Sequence, residues 1–396
     1  MSLLRRKRAY HLVRTPRFFR WFRRNTGAVF SHGNRLEFYQ DGGEFFPPFF
    51  QSLRQAEQTI FLEFYIIHDD ATGGVFADLL LAAAARGVKV FLLYDYIGCF
   101  DTPGAYFRRL EKGGVRCRSF NPPSFRRGMG WFDRRDHRKL AIIDGRNAFV
   151  AGLNIGDEYG GNAEAAGRWR DVGLGPEGPA VCELFSLFRE NWQSERGSGS
   201  DELAAFSCWD AEAGDAQVMI VNGGPHHNRS LIRNAFRMAI AGAAGSVKVM
   251  NPYFIPGPRI VRSLLRAAGR GVQVQLILPE VSDVPRVRLV RRSYYAQLLK
   301  GGVEIYELQG KVLHAKVMLI DDCWSVIGSA NLDQRSFHRN YEVNVIVDSH
   351  DFGTRVAAMF QRDLAFSRRV ELEEHQRRGW LVQFMERLCA PVSWFL

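Results

Sequence analysis

Apolar residues fall along this chain in two kinds of run. Residues 59–67, TIFLEFYII, are almost continuously apolar, as a strand covered on both faces of a sheet must be. The next segment, VFADLLLAAAARG (75–87), is dense in Ala and Leu and predicts a helix; VKVFLLYDY (88–96) predicts a second strand. The same order returns later. SVKVMNPYFI (246–255) predicts a strand, RIVRSLLRAAGRG (259–271) a helix and VQVQLILP (272–279) a strand. Strand, helix and strand at this spacing are βαβ units, which predict an α/β fold with a mostly parallel mixed sheet flanked by helices. The junctions RGVKV (86–90) and RGVQV (270–274) nearly coincide, and GGV follows in each half at 113–115 and 301–303. The chain reads as a duplication of two lobes about a pseudo-twofold axis. Between them SERGSGSDE (194–202) is small, polar and glycine-rich, the composition of a linker. The expected division is a basic aromatic segment at 1–30, a first lobe at 31–195, a linker at 196–212, a second lobe at 213–370 and an amphipathic tail at 371–396.

Within that plan one fragment occurs twice. The first half contains His137, Lys139, Asp144 and Asn154, and the second His314, Lys316, Asp321 and Asn331, at the same offsets of 2, 7 and 17 residues from the histidine. Side chains alternate along a strand, so each histidine and its lysine share one face while LAII (140–143) and VMLI (317–320) bury the strand behind them. Two imidazoles, two ammonium groups and two carboxamides in one cleft suit a tetrahedral phosphoryl group. The lysines neutralise its oxygens, one imidazole attacks phosphorus and the other protonates the leaving oxygen. Ser329 and Asn331, in GSAN (328–331), supply polar contacts with Asn154. Each imidazole needs a carboxylate to fix its tautomer. Asp171, in WRDVGL, is assigned to His137; Glu342, in NYEVNVIV, 28 residues after His314, is assigned to His314. Asp144 and Asp321 complete the repeated set, but they close their strands and are read as holding local backbone.

Composition narrows the partners. The chain has 396 residues, room for two domains with cores of their own. A formal charge of +11 favours anionic surfaces: phosphate, nucleic acid or acidic lipid. Six cysteines lie far apart without a CxxC, which argues against a zinc site or a disulfide framework and fits a reducing cytoplasm. No apolar run approaches the roughly 18–20 residues that cross a bilayer, and arginines interrupt the N-terminus where a secretory signal would be apolar.

The double HxK(x)4D motif resembles that of the phospholipase D superfamily. NPYFIP (251–256), SDVPRVRLVRRSYYAQLLKGGVEIYE (282–307), GSANLDQRSF (328–337) and GLNIGDEY (152–159) are similar to the bacterial cardiolipin synthase branch in its short form without transmembrane helices. Ala151 departs from that branch, which usually has glycine there. The resemblance implies two lobes with one shared active site and transfer of a phosphatidyl group through a phosphohistidine, without metal or other cofactor. Two phosphatidylglycerols would yield cardiolipin and glycerol; some relatives use phosphatidylethanolamine as donor. His137 is taken as nucleophile and His314 as general acid. The rival readings are a phospholipase D-type phosphodiesterase hydrolysing phospholipid or nucleic acid, and a binding scaffold with a relic site. The complete double set of motifs speaks against the scaffold, and aromatics at the chain ends rather than beside the cleft speak against nucleic acid.

The ends point to a membrane surface. Residues 1–24 hold nine Arg or Lys and no acid, interleaved with aromatics in RFFRWFRR (17–24), a composition that binds anionic interfaces. In the tail Leu381, Phe384, Met385 and Leu388 share one helical face. The expected location is peripheral, on the cytoplasmic side of the inner membrane.

Overall fold

The computed structural model describes residues 13–123, 130–160, 169–225, 230–282, 284–379 and 385–386. Its strands are β1 (Ser31–Tyr39), β2 (Thr59–Phe64), β3 (Lys89–Asp95), β4 (Arg116–Phe120), β5 (Lys139–Ile143), β6 (Asn147–Ala151), β7 (Gly173–Glu177) and β8 (Ala216–Gly223). They continue as β9 (Ser246–Met250), β10 (Gln273–Pro279), β11 (Glu304–Leu308), β12 (Val317–Ile320), β13 (Trp324–Gly328), β14 (Glu342–Asp348) and β15 (Ser367–Arg369). Two compact units divide the chain. One holds Phe30–Ile220 and the short segment Asn340–Val343; the other holds Val221–Arg339, the rest of the chain after Val343 and the residues before Phe30.

In the first unit β2, β3 and β4 are parallel neighbours, and β5, β6, β7 and β1 continue from β2 with alternating direction. The sheet is mixed, as expected, but parallel pairing stops at the βαβ strands. β5 and β6 are joined by residues 144–146 alone, too short for the crossover that parallel neighbours need. Asp70 caps the helix Ala71–Ala85 by accepting the Gly73 N–H at 2.8 Å, which starts that helix where the chain leaves the sheet edge. The helix Gly42–Gln55 presents Phe45 and Phe49 to Phe149, with ring centroids 5.8 and 5.3 Å apart, and they belong to a core that β2 and β5 complete.

The second unit repeats the plan. β9, β10 and β11 are parallel, and β12, β13 and β14 follow from β9 antiparallel. The basic aromatic segment expected to bind anionic interfaces is, from Pro16 to Thr26, a helix packed on this unit: Phe18 and Phe22 each lie 5.5 Å from the ring of Trp324. Its opposite side carries Arg17, Arg20, Arg23 and Arg24, with Trp21 42% exposed. In RFFRWFRR the aromatics at i and i+4 turn inward and the arginines outward, the division of an amphipathic helix. Residues 1–12 lie outside the described residues, as do Leu381, Phe384 and Leu388 of the tail. No helix among the described residues is long and apolar enough to cross a membrane.

Two expectations need correction. The linker is held to the first unit: it forms the helix Ser200–Ala205, Phe206 packs 5.0 and 4.9 Å from Phe61 and Phe185, and Glu202 meets Lys89 at 3.0 Å and Arg116 at 2.6 Å. Cys182 and Cys208 form a disulfide with Cα atoms 5.6 Å apart. They lie 26 residues apart in sequence and meet because the linker doubles back along the helix Ala180–Ser194.

Candidate active site

Both histidine motifs enter a strand from the same relative position. β5 lies antiparallel to β2 with Lys139 opposite Phe64, and β12 lies antiparallel to β9 with Val317 opposite Met250. His137 and His314 therefore stand at the edge where β2 and β9 end. The aspartates stand at the other edge. At about 3.3 Å per residue, seven residues of extended chain place Asp144 roughly 20 Å from His137. Asp144 accepts backbone N–H bonds from Glu57 at 3.0 Å and from Gln58 and Thr59 at 2.8 Å. Asp321 does the same for Ala244, Gly245 and Ser246, at 3.0, 2.7 and 2.9 Å. Both aspartates adopt φ of +52°, a left-handed conformation that Asp tolerates. They fasten the turn into β2 or β9.

His137 is built into the first unit. Its N–H donates to the carbonyl of Tyr341 at 2.9 Å, and its ring stands edge-on to Tyr65 with centroids 4.8 Å apart. Lys139 shares that face, with Nζ 5.0 Å from the centre of the Tyr65 ring and donating to the His137 carbonyl at 2.6 Å. The Nδ1 atom of His137 lies 3.0 Å from Oε2 of Glu342, a fully buried carboxylate. A carboxylate at Nδ1 holds the ring proton there and leaves the Nε2 lone pair for chemistry. The contact overturns the expected pairing of Asp171 with His137. Counting along each half assigns every acid to its own half, but residues 340–343 join the first unit, where Tyr341 bridges Asp136. No sequence signal marks that exchange.

The opposite face of the first motif carries charges that sequence reasoning missed. Arg138 and Asn191 donate to the buried Glu63 at 3.4 and 2.7 Å, and Arg138 also lies over the Tyr341 ring at 5.5 Å. Arg135 and the Asp136 N–H donate to Asp95 at 3.1 and 2.8 Å. Burial first, and then the charge of Glu63, raise the Asp136 carboxyl well above its ordinary range. The strand alternation that puts His137 and Lys139 on one face was the available signal, since it puts Asp136 and Arg138 on the other.

In the second motif Lys316 donates to the carbonyl of His314 and lies 2.8 Å from its Nδ1. Leu313 and Ala315, buried and apolar, occupy the places of Asp136 and Arg138. Asn331 leaves Oδ1 buried without a hydrogen-bond partner among the described residues, while its N–H donates to Ser336 at 3.2 Å. Asn154, its counterpart, accepts from the Ile66 N–H at 3.2 Å and donates to the Tyr159 hydroxyl at 2.9 Å. Ser329 is fully buried at the position of Gly152. Asp171, also fully buried, accepts the Val172 N–H at 2.9 Å. A Cβ on Gly152 would lie 2.1 Å from its Oδ1, so the first half needs glycine where the second has serine. Ala151 is accommodated because its partner across the ladder is Gly173; in the second half the glycine is Gly328 and its partner Asn344.

Two α/β units of one plan, each bringing a histidine and a lysine to the end of a buried strand, define a phospholipase D-like enzyme. The family described as cardiolipin synthase, PLD-like domain, matches this chain twice, over residues 49–171 and 236–364. The chain belongs to that family. It is 36% identical over 359 residues to cardiolipin synthase 2 of Bacillus anthracis, covering 89% of this chain and 69% of that protein. It is 35% identical over 366 residues to cardiolipin synthase A of Pseudomonas syringae pv. syringae (strain B728a), covering 91% and 74%. Among solved structures, phosphatidylserine synthase of Haemophilus influenzae Rd KW20 superposes with a TM-score of 0.72 over 96% of this chain and 99% of that one. At 12% identity that likeness speaks to fold alone.

Proposed function

We infer that this phosphatidyltransferase joins two phosphatidylglycerol molecules into cardiolipin, with both motifs acting on one phosphorus atom. The observation that carries the reading is the carboxylate of Glu342 at Nδ1 of His137, which prepares Nε2 as a nucleophile. His137 Nε2 attacks phosphorus, the bond to the glycerol headgroup oxygen breaks, and His314 gives that oxygen its proton. The phosphatidyl group is then held on His137. His314, now neutral, takes the proton from a hydroxyl of the second phosphatidylglycerol as its oxygen attacks phosphorus and frees His137. Lys139 and Lys316 balance the charge on the non-bridging oxygens, and Asn154, Ser329 and Asn331 hold the group in place.

Arg17, Arg20, Arg23 and Arg24 around Trp21 form a cationic interfacial face suited to the anionic cytoplasmic leaflet of the inner membrane. Purified protein incubated with phosphatidylglycerol vesicles, with or without phosphatidylethanolamine, tests the reading by the mass of its products. Cardiolipin with one glycerol per molecule is expected from phosphatidylglycerol alone. Phosphatidic acid as the main product would replace transfer with hydrolysis, and a need for phosphatidylethanolamine would change the donor.

A further inference from the structure

The carboxylate that meets His137 is only as well placed as the short segment that carries it. Asn340–Val343 joins the first unit from far along the chain, and its backbone is fastened at Tyr341. The Tyr341 N–H donates to the Arg135 carbonyl at 2.8 Å, and the Tyr341 carbonyl accepts the His137 N–H at 2.9 Å. These two bonds make an isolated parallel bridge between Asp136 and Tyr341. A bridge of this kind sets how close the segment lies; it does little to set how the segment is turned about its own axis.

The turn matters because successive side chains of extended chain point to opposite sides. Glu342 points to the imidazole, with Oε2 3.0 Å from Nδ1 of His137 and Oε1 3.4 Å from Nδ2 of Asn340. The Tyr341 ring points the other way, to the side of Arg138. There it meets the Arg138 guanidinium, 5.5 Å from the ring centre, and the edge of Phe120, with ring centroids 5.2 Å apart. Arg138 is a firm support. It is buried and donates to the carbonyl of Leu187 at 3.3 Å and to Glu63 at 3.4 Å. Burial pushes the Tyr341 hydroxyl up to about 12 against the opposing charge of Arg138, so the neutral ring offers the guanidinium its π face.

We propose that Tyr341 is a positioning residue for the transfer reaction: its ring, seated against Arg138 and Phe120, fixes the turn of residues 340–343 and so keeps Glu342 at Nδ1 of His137. The ring does this work, and the hydroxyl does not. The proposal rests on the reaction inferred above, in which Glu342 prepares His137 for attack.

The test reads the imidazole itself as well as turnover. In protein carrying nitrogen-labelled histidine, the His137 signal is identified by its absence in His137→Ala. Its ring is expected as the Nδ1–H tautomer in wild type and in Tyr341→Phe, and as a mixture of tautomers in Tyr341→Leu. With phosphatidylglycerol in detergent micelles, Tyr341→Leu is expected to lower kcat about 10- to 100-fold at unchanged KM, the scale of a displaced catalytic group. Tyr341→Phe keeps the π face and is expected to stay within about 2-fold of wild type. In a Glu342→Gln background Tyr341→Leu is expected to add less than about 2-fold, because residues that act through one contact are not additive. A full second loss in that background overturns the proposal, as does a wild-type tautomer in Tyr341→Leu. Tyr341→Phe as poor as Tyr341→Leu gives the role to the hydroxyl and also overturns it. Phe120→Leu leaves Tyr341 in place and removes one side of its seat. A smaller shift of the His137 tautomer in the same direction is expected there, and no shift overturns the proposal even where Tyr341→Leu does not fold. If the tautomer responds as expected but wild type makes no cardiolipin, the transfer reaction fails and the placement of Glu342 by Tyr341 stands.

Discussion

The two motif strands do the same work on different supports. The first is DHRK, with Asp136 and Arg138 set in a buried network around Glu63 and Asn191. The second is LHAK, with Leu313 and Ala315 buried and apolar. One strand is positioned by charges that must all be satisfied, the other by shape. The comparison teaches that chemistry fixes the face carrying histidine and lysine, whereas the face behind it is free to use either solution. Buried charge is a costly solution to break, because a lone partner stays desolvated.

The largest effect that can separate the halves from a single shared machine is on turnover. His137→Ala and His314→Ala are each expected to lower kcat by about 1,000-fold or more, and the double variant hardly further, because attack and protonation form a unit. A double variant markedly worse than either single one would mean two independent sites. Glu342→Gln is expected to lower kcat by about 100-fold or more through loss of the Nδ1 partner, at little change in KM.

Stability separates the supports themselves. Arg138→Met strands the Glu63 charge and is expected to cost about 3–5 kcal/mol in urea unfolding. Leu313→Ala, the matching place in the other half, is expected to cost about 2–4 kcal/mol from a cavity. Gly152→Ala, which drives a methyl group into Asp171, is expected to cost about 1–3 kcal/mol, while serine already stands at the same place in the second half. Equal tolerance of both supports to small polar substitutes would erase the distinction.

The smallest effect is a slope. The Asp136 carboxyl is raised above its ordinary 3.8 in the folded chain, so the folded state keeps a proton that the unfolded state loses as pH climbs past that value. Its contribution is full below about pH 4 and declines as pH rises. Asp136→Asn is expected to flatten that decline in a series of unfolding curves from pH 4 to 8. Leu313 has nothing to titrate, so the slope belongs to the first unit, and an unaltered slope in Asp136→Asn would remove it from there.

Much of this was legible beforehand. The apolar runs gave βαβ units in both halves, and the repeated offsets located each histidine and lysine at a strand entry, because a period of two is a local property. Pairings that depend on distant segments were not legible. Nothing near His137 in sequence announces Glu342, nothing in the spacing of Cys182 and Cys208 announces their bond, and Phe206 gives no local sign that the linker returns to Phe61. RFFRWFRR was read by composition as a membrane-binding segment; its helical period, with Phe18 and Phe22 on one side, already implied a surface of the protein beneath it.

The exchange of residues 340–343 into the first unit sets a timetable for biosynthesis. As the chain leaves the ribosome, everything else in that first unit precedes Val221, yet the carboxylate that meets its histidine is carried by Glu342, more than a hundred residues later. Until Glu342 has emerged, His137 stands without the buried carboxylate that meets its Nδ1.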